Sequence, residues 1–192
     1  MPVGDRKRVG VLALQGDFEA HARALARAGA DAVEVRSVSQ LQDIDALIIP
    51  GGESSTMLKL LDIEGLFEPL RKFGESHPIF GTCAGAILLA SEVTNPSQAS
   101  LGLMDIGVER NAYGRQLDSR IAHLAPEGLD GDLEAVFIRA PIIRRVGGNA
   151  KVLARYDGDP VLVEQGRHLV ATFHPELTSD ARIHKMFLDK VE

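Results

Sequence analysis

The chain has 192 residues, 45% of them hydrophobic, and a formal charge of -6, which fits a single folded domain over 1–192 with a well-buried core. The acidic balance excludes a general polyanion binder, because neutralising phosphates takes Lys and Arg in clustered excess; Arg144-Arg145 and Arg110 with Arg115 are local exceptions. A single cysteine excludes an intramolecular disulfide and a Cys-x-x-Cys zinc site, and it points to a reducing compartment.

At the amino end, Arg6-Lys7-Arg8 precedes the apolar run Val9 to Leu14. That run is too short for an export signal, and Gln15-Gly16-Asp17 ends it without a small-residue cleavage site. No stretch approaches the roughly 18 apolar residues that span a bilayer, so the expectation is a soluble, cytoplasmic protein with no membrane or nucleic-acid partner.

Short apolar runs alternate with helical patterns through the first half, the signature of parallel-sheet α/β units. Val9 to Leu14 reads as a buried strand. Asp17 can cap a helix carrying Phe18, Ala22, Leu25 and Ala26 on one face, with Gly29 as its stop. Ala32 to Arg36 and Ala46 to Ile49 are further strands. Pro50-Gly51-Gly52-Glu53-Ser54-Ser55-Thr56 then makes a glycine-rich turn into a helix with Met57, Leu58, Leu60 and Leu61. Pro78 to Gly81 is a fourth short strand, followed at once by Cys83 and a helix over Ala84 to Ala90. A flexible loop is expected at Thr94 to Ser100.

The second half reads differently. Met104 to Arg110, Ala135 to Arg139, Lys151 to Tyr156, Val161 to Glu164 and Leu169 to Phe173 are strand-like. Turns at Gly131, Gly147-Gly148 and Gly158 between them predict antiparallel pairing. A final amphipathic helix, Ser179 to Lys190, puts Ile183, Met186 and Phe187 on one face. The fold expected is α/β, a three-layer sandwich with a mostly parallel central sheet plus an antiparallel extension.

Gly81-Thr82-Cys83-Ala84-Gly85 has the Gly-x-nucleophile-x-Gly form of a nucleophile elbow, in which a sharp strand-to-helix turn exposes the central side chain. The N–H of the following residue, Ala84, can then face a developing oxyanion. A thiol nucleophile needs an imidazole to form the thiolate and to protonate the leaving group, and that imidazole needs an acceptor on its other nitrogen. Of six histidines, His174 answers this description. It ends an apolar strand, and Pro175 and Glu176 follow it, so that in extended chain His174 and Glu176 project to the same side. His21, His77, His123, His168 and His184 lack such a pattern and read as solvated or structural. Pro50-Gly51-Gly52-Glu53 lacks the Gly-Lys-Ser/Thr ending of a phosphate loop and fits better as the second wall of an oxyanion hole.

This constellation resembles the class I, triad-type glutamine amidotransferases, which carry a cysteine elbow and a late His-Pro-Glu. Within that class the blocks Leu12 to Asp17, Pro50 to Ser54, Gly81 to Gly85, Arg110-Asn111-Ala112-Tyr113-Gly114-Arg115-Gln116, Phe137 to Pro141 and Phe173 to Leu177 are similar to the glutaminase subunits of pyridoxal 5'-phosphate synthase. They span nearly the whole chain in the expected order. The triad identifies only the class; Arg110 to Gln116 and Phe137 to Pro141 select the subunit.

The resemblance implies that Cys83 attacks the side-chain amide of L-glutamine, His174 transfers protons and Glu176 orients His174. It implies glutamine binding by Gly51, Gly52, Glu53, Arg110, Ile138 and Arg139, and an oxyanion hole at Gly51, Gly52 and Ala84. Either Arg110 or Arg139 would fork onto the substrate carboxylate. Ammonia would pass to a barrel-type synthase subunit in a hetero-oligomer, without a metal or organic cofactor in this chain. The Gly51-Gly52 peptide is free to flip and so to switch the oxyanion hole. Ser55 stands where such proteins often have threonine, and Ala86 where a larger apolar residue is common. The rivals are the ammonia-supplying subunit of another pathway, such as imidazole glycerol phosphate synthase, and a non-enzymatic binding module on the same fold.

Overall fold

The structure, a computed structural model, describes residues 5–112 and 119–192. The chain runs β1 (Arg8–Leu12), α1 (Phe18–Ala28), β2 (Asp31–Val35), β3 (Ala46–Ile49), α2 (Ser54–Ile63), α3 (Phe67–Ser76), β4 (Ile79–Thr82), α4 (Ala84–Leu89) and β5 (Ala90–Thr94). It continues through β6 (Met104–Glu109), β7 (Arg120–Leu124), β8 (Leu133–Phe137), β9 (Ile142–Val146), β10 (Lys151–Tyr156), β11 (Asp159–Gln165) and β12 (His168–Ala171) to α5 (Arg182–Leu188). Single 3-10 turns occur at Val38–Asp43 and Pro175–Leu177.

Seven strands form the central sheet in the order β10-β11-β12-β4-β3-β1-β2. From β12 to β2 every neighbouring pair is parallel, whereas β10 and β11 add on antiparallel. This is the expected α/β sandwich with its antiparallel extension. Side chains alternate faces along a strand, and the sheet uses that alternation to feed two cores. In β3, Leu47 and Ile49 join the core beneath α2, α3 and α4, while Ala46 and Ile48 join the one beneath α1 and α5. The same split separates Ile79 from Phe80 in β4 and Val170 from Leu169 and Ala171 in β12. Because both faces are covered, these strands read as unbroken apolar runs.

Several boundaries differ from the expectation. The first strand ends at Leu12, and the α1 face that is buried carries Ala20, His21, Ala24 and Leu25, with Ala26 exposed. The helix after Cys83 stops at Leu89, since Ala90 has extended dihedrals and opens β5. Met104 to Glu109 does not extend the central sheet. It lies in a separate three-stranded sheet, parallel to β5 and antiparallel to β9. Leu133 to Phe137 pairs with β7 as a two-stranded ribbon. The last helix is shorter than expected, because Asp180 accepts a hydrogen bond from the Arg182 N–H at 3.0 Å and so sets its start. Tyr113, Gly114, Arg115 and Gln116 lie outside the described residues.

Candidate active site

Three neighbouring parallel strands, β12, β4 and β3, end on the same edge of the sheet. Ala171 is paired with Thr82, and Ile49 with Gly81. Loops leaving such an edge form the usual ligand crevice of open α/β sheets. Here β3 leads into Pro50 to Glu53, β4 into Cys83 and β12 into His174. The Cys83 N–H donates to the Ala171 carbonyl at 2.8 Å, so the elbow is tied to the strand that delivers the histidine. Residues far apart in sequence become adjacent because parallel pairing aligns the ends of their strands.

Cys83 has φ 51° and ψ -104°, a backbone conformation costly for a side chain with a Cβ. The flanking glycines make the turn possible by close approach. A Cβ at Gly81 would fall 2.4 Å from the Gly85 carbonyl, and one at Gly85 would fall 2.2 Å from the Ile49 carbonyl oxygen. Strand, turn and α4 are therefore pressed together at the elbow. Ala84 opens α4, so its N–H has no acceptor within the helix.

His174 Nδ1 lies 2.6 Å from Glu176 Oε1, which leaves Nε2 for Cys83, with whose side chain the ring interacts electrostatically. The linking residues are not extended as expected: Pro175–Leu177 is a 3-10 turn. Proline fits its first position because it needs no donor there, and the curl bends the carboxylate back onto the ring. Glu176 is 2% exposed and His174 12%. Burial pushes the His174 pKa down, but its interactions with Cys83 and Glu176 outweigh burial and hold it up at about 10. A thiol, a cationic imidazole and a buried carboxylate in line are the parts of nucleophilic acyl transfer.

Gly51 packs against both reacting side chains. A Cβ there would lie 2.6 Å from His174 Cε1 and 3.3 Å from Cys83 Cβ, so the loop reaches the sulfur only as glycine. Gly52, with φ 153°, follows on the exposed lip. The Glu53 carboxylate turns to α2 instead of outward. It caps the helix by accepting from the N–H groups and hydroxyls of Ser55 and Thr56, which pull its pKa down to about 2. Arg110, whose side chain is 12% exposed, reaches Glu53 Oε1 at 3.4 Å. The Ile138 carbonyl lies 3.9 Å from Cys83 Sγ, and the next residue, Arg139, at φ 45°, is exposed. The glycine loop, Cys83, His174, Glu176 and Ile138 thus come together at this edge, Arg110 reaches it through Glu53, and the Glu53 side chain is engaged in capping.

Two contributions were not foreseen. Gln15 Oε1 accepts from the Glu53 N–H at 3.0 Å and so pins the glycine loop. His21 and His184 are fully buried and 3.0 Å apart, behind Glu176. The period of α1 places His21 beside Ala24 and Leu25 on the inner face, and that signal was available in the sequence. Among the described residues no group of three or more His, Cys, Asp or Glu side chains is arranged to hold a metal ion, and no helix is long and apolar enough to cross a membrane.

Comparison with known proteins gives a consistent result. A family model described as the SNO glutamine amidotransferase family matches residues 11–192. A protein of Solibacter usitatus named pyridoxal 5'-phosphate synthase subunit PdxT is 63% identical over 191 residues, covering 96% of this chain and 100% of that one. Its namesake from Koribacter versatilis is 58% identical over 184 residues, with 96% and 95% covered. A crystal structure described as a glutamine amidotransferase superposes with TM-score 0.89 at 52% identity, covering 95% of this chain and 97% of that one. The Thermotoga maritima PurLQS structure shares the fold with TM-score 0.72 at 17% identity, covering 96% and 98%.

Proposed function

The chain belongs to the SNO glutamine amidotransferase family, and we propose that it is the glutaminase subunit of a pyridoxal 5'-phosphate synthase, hydrolysing L-glutamine to L-glutamate and ammonia. The observation that carries this reading is the line from the strained Cys83 elbow through His174 to Glu176. The likeness to proteins named as PdxT over nearly their full length supports this pathway over other ammonia-supplying subunits, and the three aligned side chains weigh against a binding module without chemistry.

In this mechanism the Cys83 thiolate attacks the side-chain carboxamide carbon, forming a C–S bond and an oxyanion. The Ala84 N–H and the Gly51-Gly52 loop receive that oxyanion, the largest electrostatic contribution in acyl transfer. The His174 imidazolium passes its proton to the amide nitrogen, the C–N bond breaks and ammonia leaves. His174, now neutral, takes a proton from water as the oxygen attacks the thioester. Glutamate departs, and the thiolate–imidazolium pair is restored. Glu176 keeps Nδ1 as the donor side of the ring throughout. Arg110, with its guanidinium at the glycine loop, is the better placed of the two arginines to hold the substrate carboxylate, and Ile138 and Arg139 close the other wall.

Free ammonia would be wasted without a recipient. On this reading the single domain docks onto a barrel-type synthase subunit in a hetero-oligomer, and docking flips the Gly51-Gly52 peptide into its oxyanion-binding orientation. A thiol nucleophile must stay reduced, which fits a cytoplasmic setting. The test is glutamate release from glutamine, measured with and without a synthase subunit. Cys83→Ala is expected to lose at least about 10³-fold in kcat while still binding the partner; a variant that keeps full turnover would refute the nucleophile.

A further inference from the structure

The triad ends, by its usual description, at Glu176, yet only one oxygen of that carboxylate is spoken for. Oε1 takes the His174 hydrogen bond, while Oε2 is buried and makes no hydrogen bond of normal geometry. A desolvated carboxylate oxygen with no donor is costly. What faces it is His21 Nε2, at 3.5 Å. The same nitrogen lies 3.2 Å from Thr82 Oγ1, and His21 Nδ1 lies 3.0 Å from His184 Nε2. Behind Glu176 a second line of polar groups thus runs from the residue before the nucleophile into the core, through α1 and on to α5.

From this arrangement we infer that His21 is a positioning residue for the glutaminase, donating from Nε2–H toward Glu176 with its tautomer locked by His184. The inference rests on the glutaminase reading above.

Two separate considerations select this tautomer. With hydrogen on Nε2, a donor faces the carboxylate; with hydrogen on Nδ1, the Nε2 lone pair would face a carboxylate oxygen in a dry interior. The second concerns His184, whose Nδ1 is buried without a partner. If His21 Nδ1 accepts, His184 donates from Nε2 and its Nδ1 is a bare acceptor. In the reverse arrangement the orphan would be an N–H, which buried structures tolerate less well than an orphaned acceptor. Both rings are held neutral. Burial drives each pKa down, helped for His21 by the charges of His184 and His174 and for His184 by Arg27. The titratable groups facing His21 are therefore His184 from α5 and His174 and Glu176 from the 3-10 turn, with the uncharged Thr82 from β4. Neutrality matters, because a donor without charge steadies the carboxylate and leaves its charge to act on His174.

The consequence is kinetic. With the His21 Nε2–H aimed at its second oxygen, Glu176 is disfavoured from rotating away from His174, so the imidazolium stays aligned and its proton stays bound. His21→Leu, of similar bulk, removes the donor; His21→Gln returns an N–H near the position of Nε2. Glutamine turnover in the assembled synthase complex is expected to fall about 10- to 100-fold in kcat for His21→Leu with KM little changed. The alkaline limb of the kcat profile, set by His174, should move to lower pH, and His21→Gln should recover most of both. If the wild-type complex turns over glutamine and a folded His21→Leu variant matches it in rate and pH profile, the inference is wrong while the glutaminase reading stands; an inactive wild type would overturn the reading itself. Nitrogen-detected NMR of the histidine rings in the unaltered protein needs no variant to fold. Neutral rings protonated at Nε2 in both His21 and His184 support the inference, and protonation of His21 at Nδ1 overturns it.

Discussion

The two faces of the central sheet are packed by different chemistry. Beneath α2, α3 and α4 the cluster is built from aliphatic and aromatic side chains, among them Leu47, Ile49, Leu61, Leu70 and Ile87. Beneath α1 and α5, the polar groups of His21, Thr82, Glu176 and His184 are buried beside Phe80, Phe173 and Phe187. Both faces belong to the same strands and differ only in which alternate residue they receive. The first face holds the framework by area and close packing. The second gives up some of that packing to align groups that work at the sheet edge, and departures from the apolar rule at functional sites are what natural sequences accept in return for activity.

That contrast is broken most directly by Leu61→Ala on the apolar face. Leu61 is fully buried, and truncation should cost about 2–5 kcal/mol through lost burial and the cavity left behind. Urea unfolding should show that loss. Turnover per folded molecule, measured well below the melting temperature, should stay within twofold of wild type, because Leu61 belongs to the other core. A matching drop in kcat would mean that the two faces are not separable.

Gly51→Ala is the complementary change at the edge where both faces end. The new methyl group would meet the His174 ring at 2.6 Å, so either the ring or the loop must move. Stability should fall by about 1–3 kcal/mol, as overpacking a buried position does, while kcat should fall about 10- to 100-fold from displaced catalytic geometry. Full activity in Gly51→Ala would show that the loop stands further from the imidazole in the working state.

The contrast also explains what was legible in the sequence. The elbow and the glycine loop could be placed because each follows a short apolar run in the parallel half, whereas His174 and Glu176 are legible only from their spacing, since the strand before them, expected to pair antiparallel, lies parallel to β4 on its catalytic side. α3 was not foreseen. It carries Pro69 in its first turn and Gly74 within it, both poor helix formers in general, yet a Cβ at Gly74 would meet Leu103 at 2.3 Å, so tertiary contact selects the glycine that propensity argues against. β9 was hidden by Arg144-Arg145, whose charges mask its apolar start, and β7 by Arg120 and His123, polar residues within a strand of only five. The His174–Glu176 link was misread as extended because proline suits the first position of a 3-10 turn as well as it suits extended chain. His21 reads as ordinary in the sequence because its partners, Glu176 and His184, come from the far end of the chain and no local pattern announces them.

The smallest effect is expected at Glu53, where the lip meets the apolar face. Its carboxylate caps α2 through Ser55 and Thr56, so Glu53→Ala should cost about 1 kcal/mol, as cap deletions do. The pH dependence identifies the source. The Glu53 pKa is depressed from 4.5 to about 2 by its hydrogen bonds to Thr56 and Ser55, and a depressed carboxylate contributes stability that is complete above the unfolded value and is lost as pH falls through the folded one. The difference in urea midpoint between wild type and Glu53→Ala should therefore be constant above pH 4.5 and shrink as the pH is lowered toward 2. Because the group is largely exposed, solvent screening keeps the change modest. Glu53→Ala also frees Arg110 from its 3.4 Å contact. If that contact holds the guanidinium ready for the substrate carboxylate, KM for glutamine should rise about threefold with kcat unchanged. If KM does not move while the stability difference follows the acid titration, Glu53 serves α2 alone, and Arg110 finds the substrate without its help.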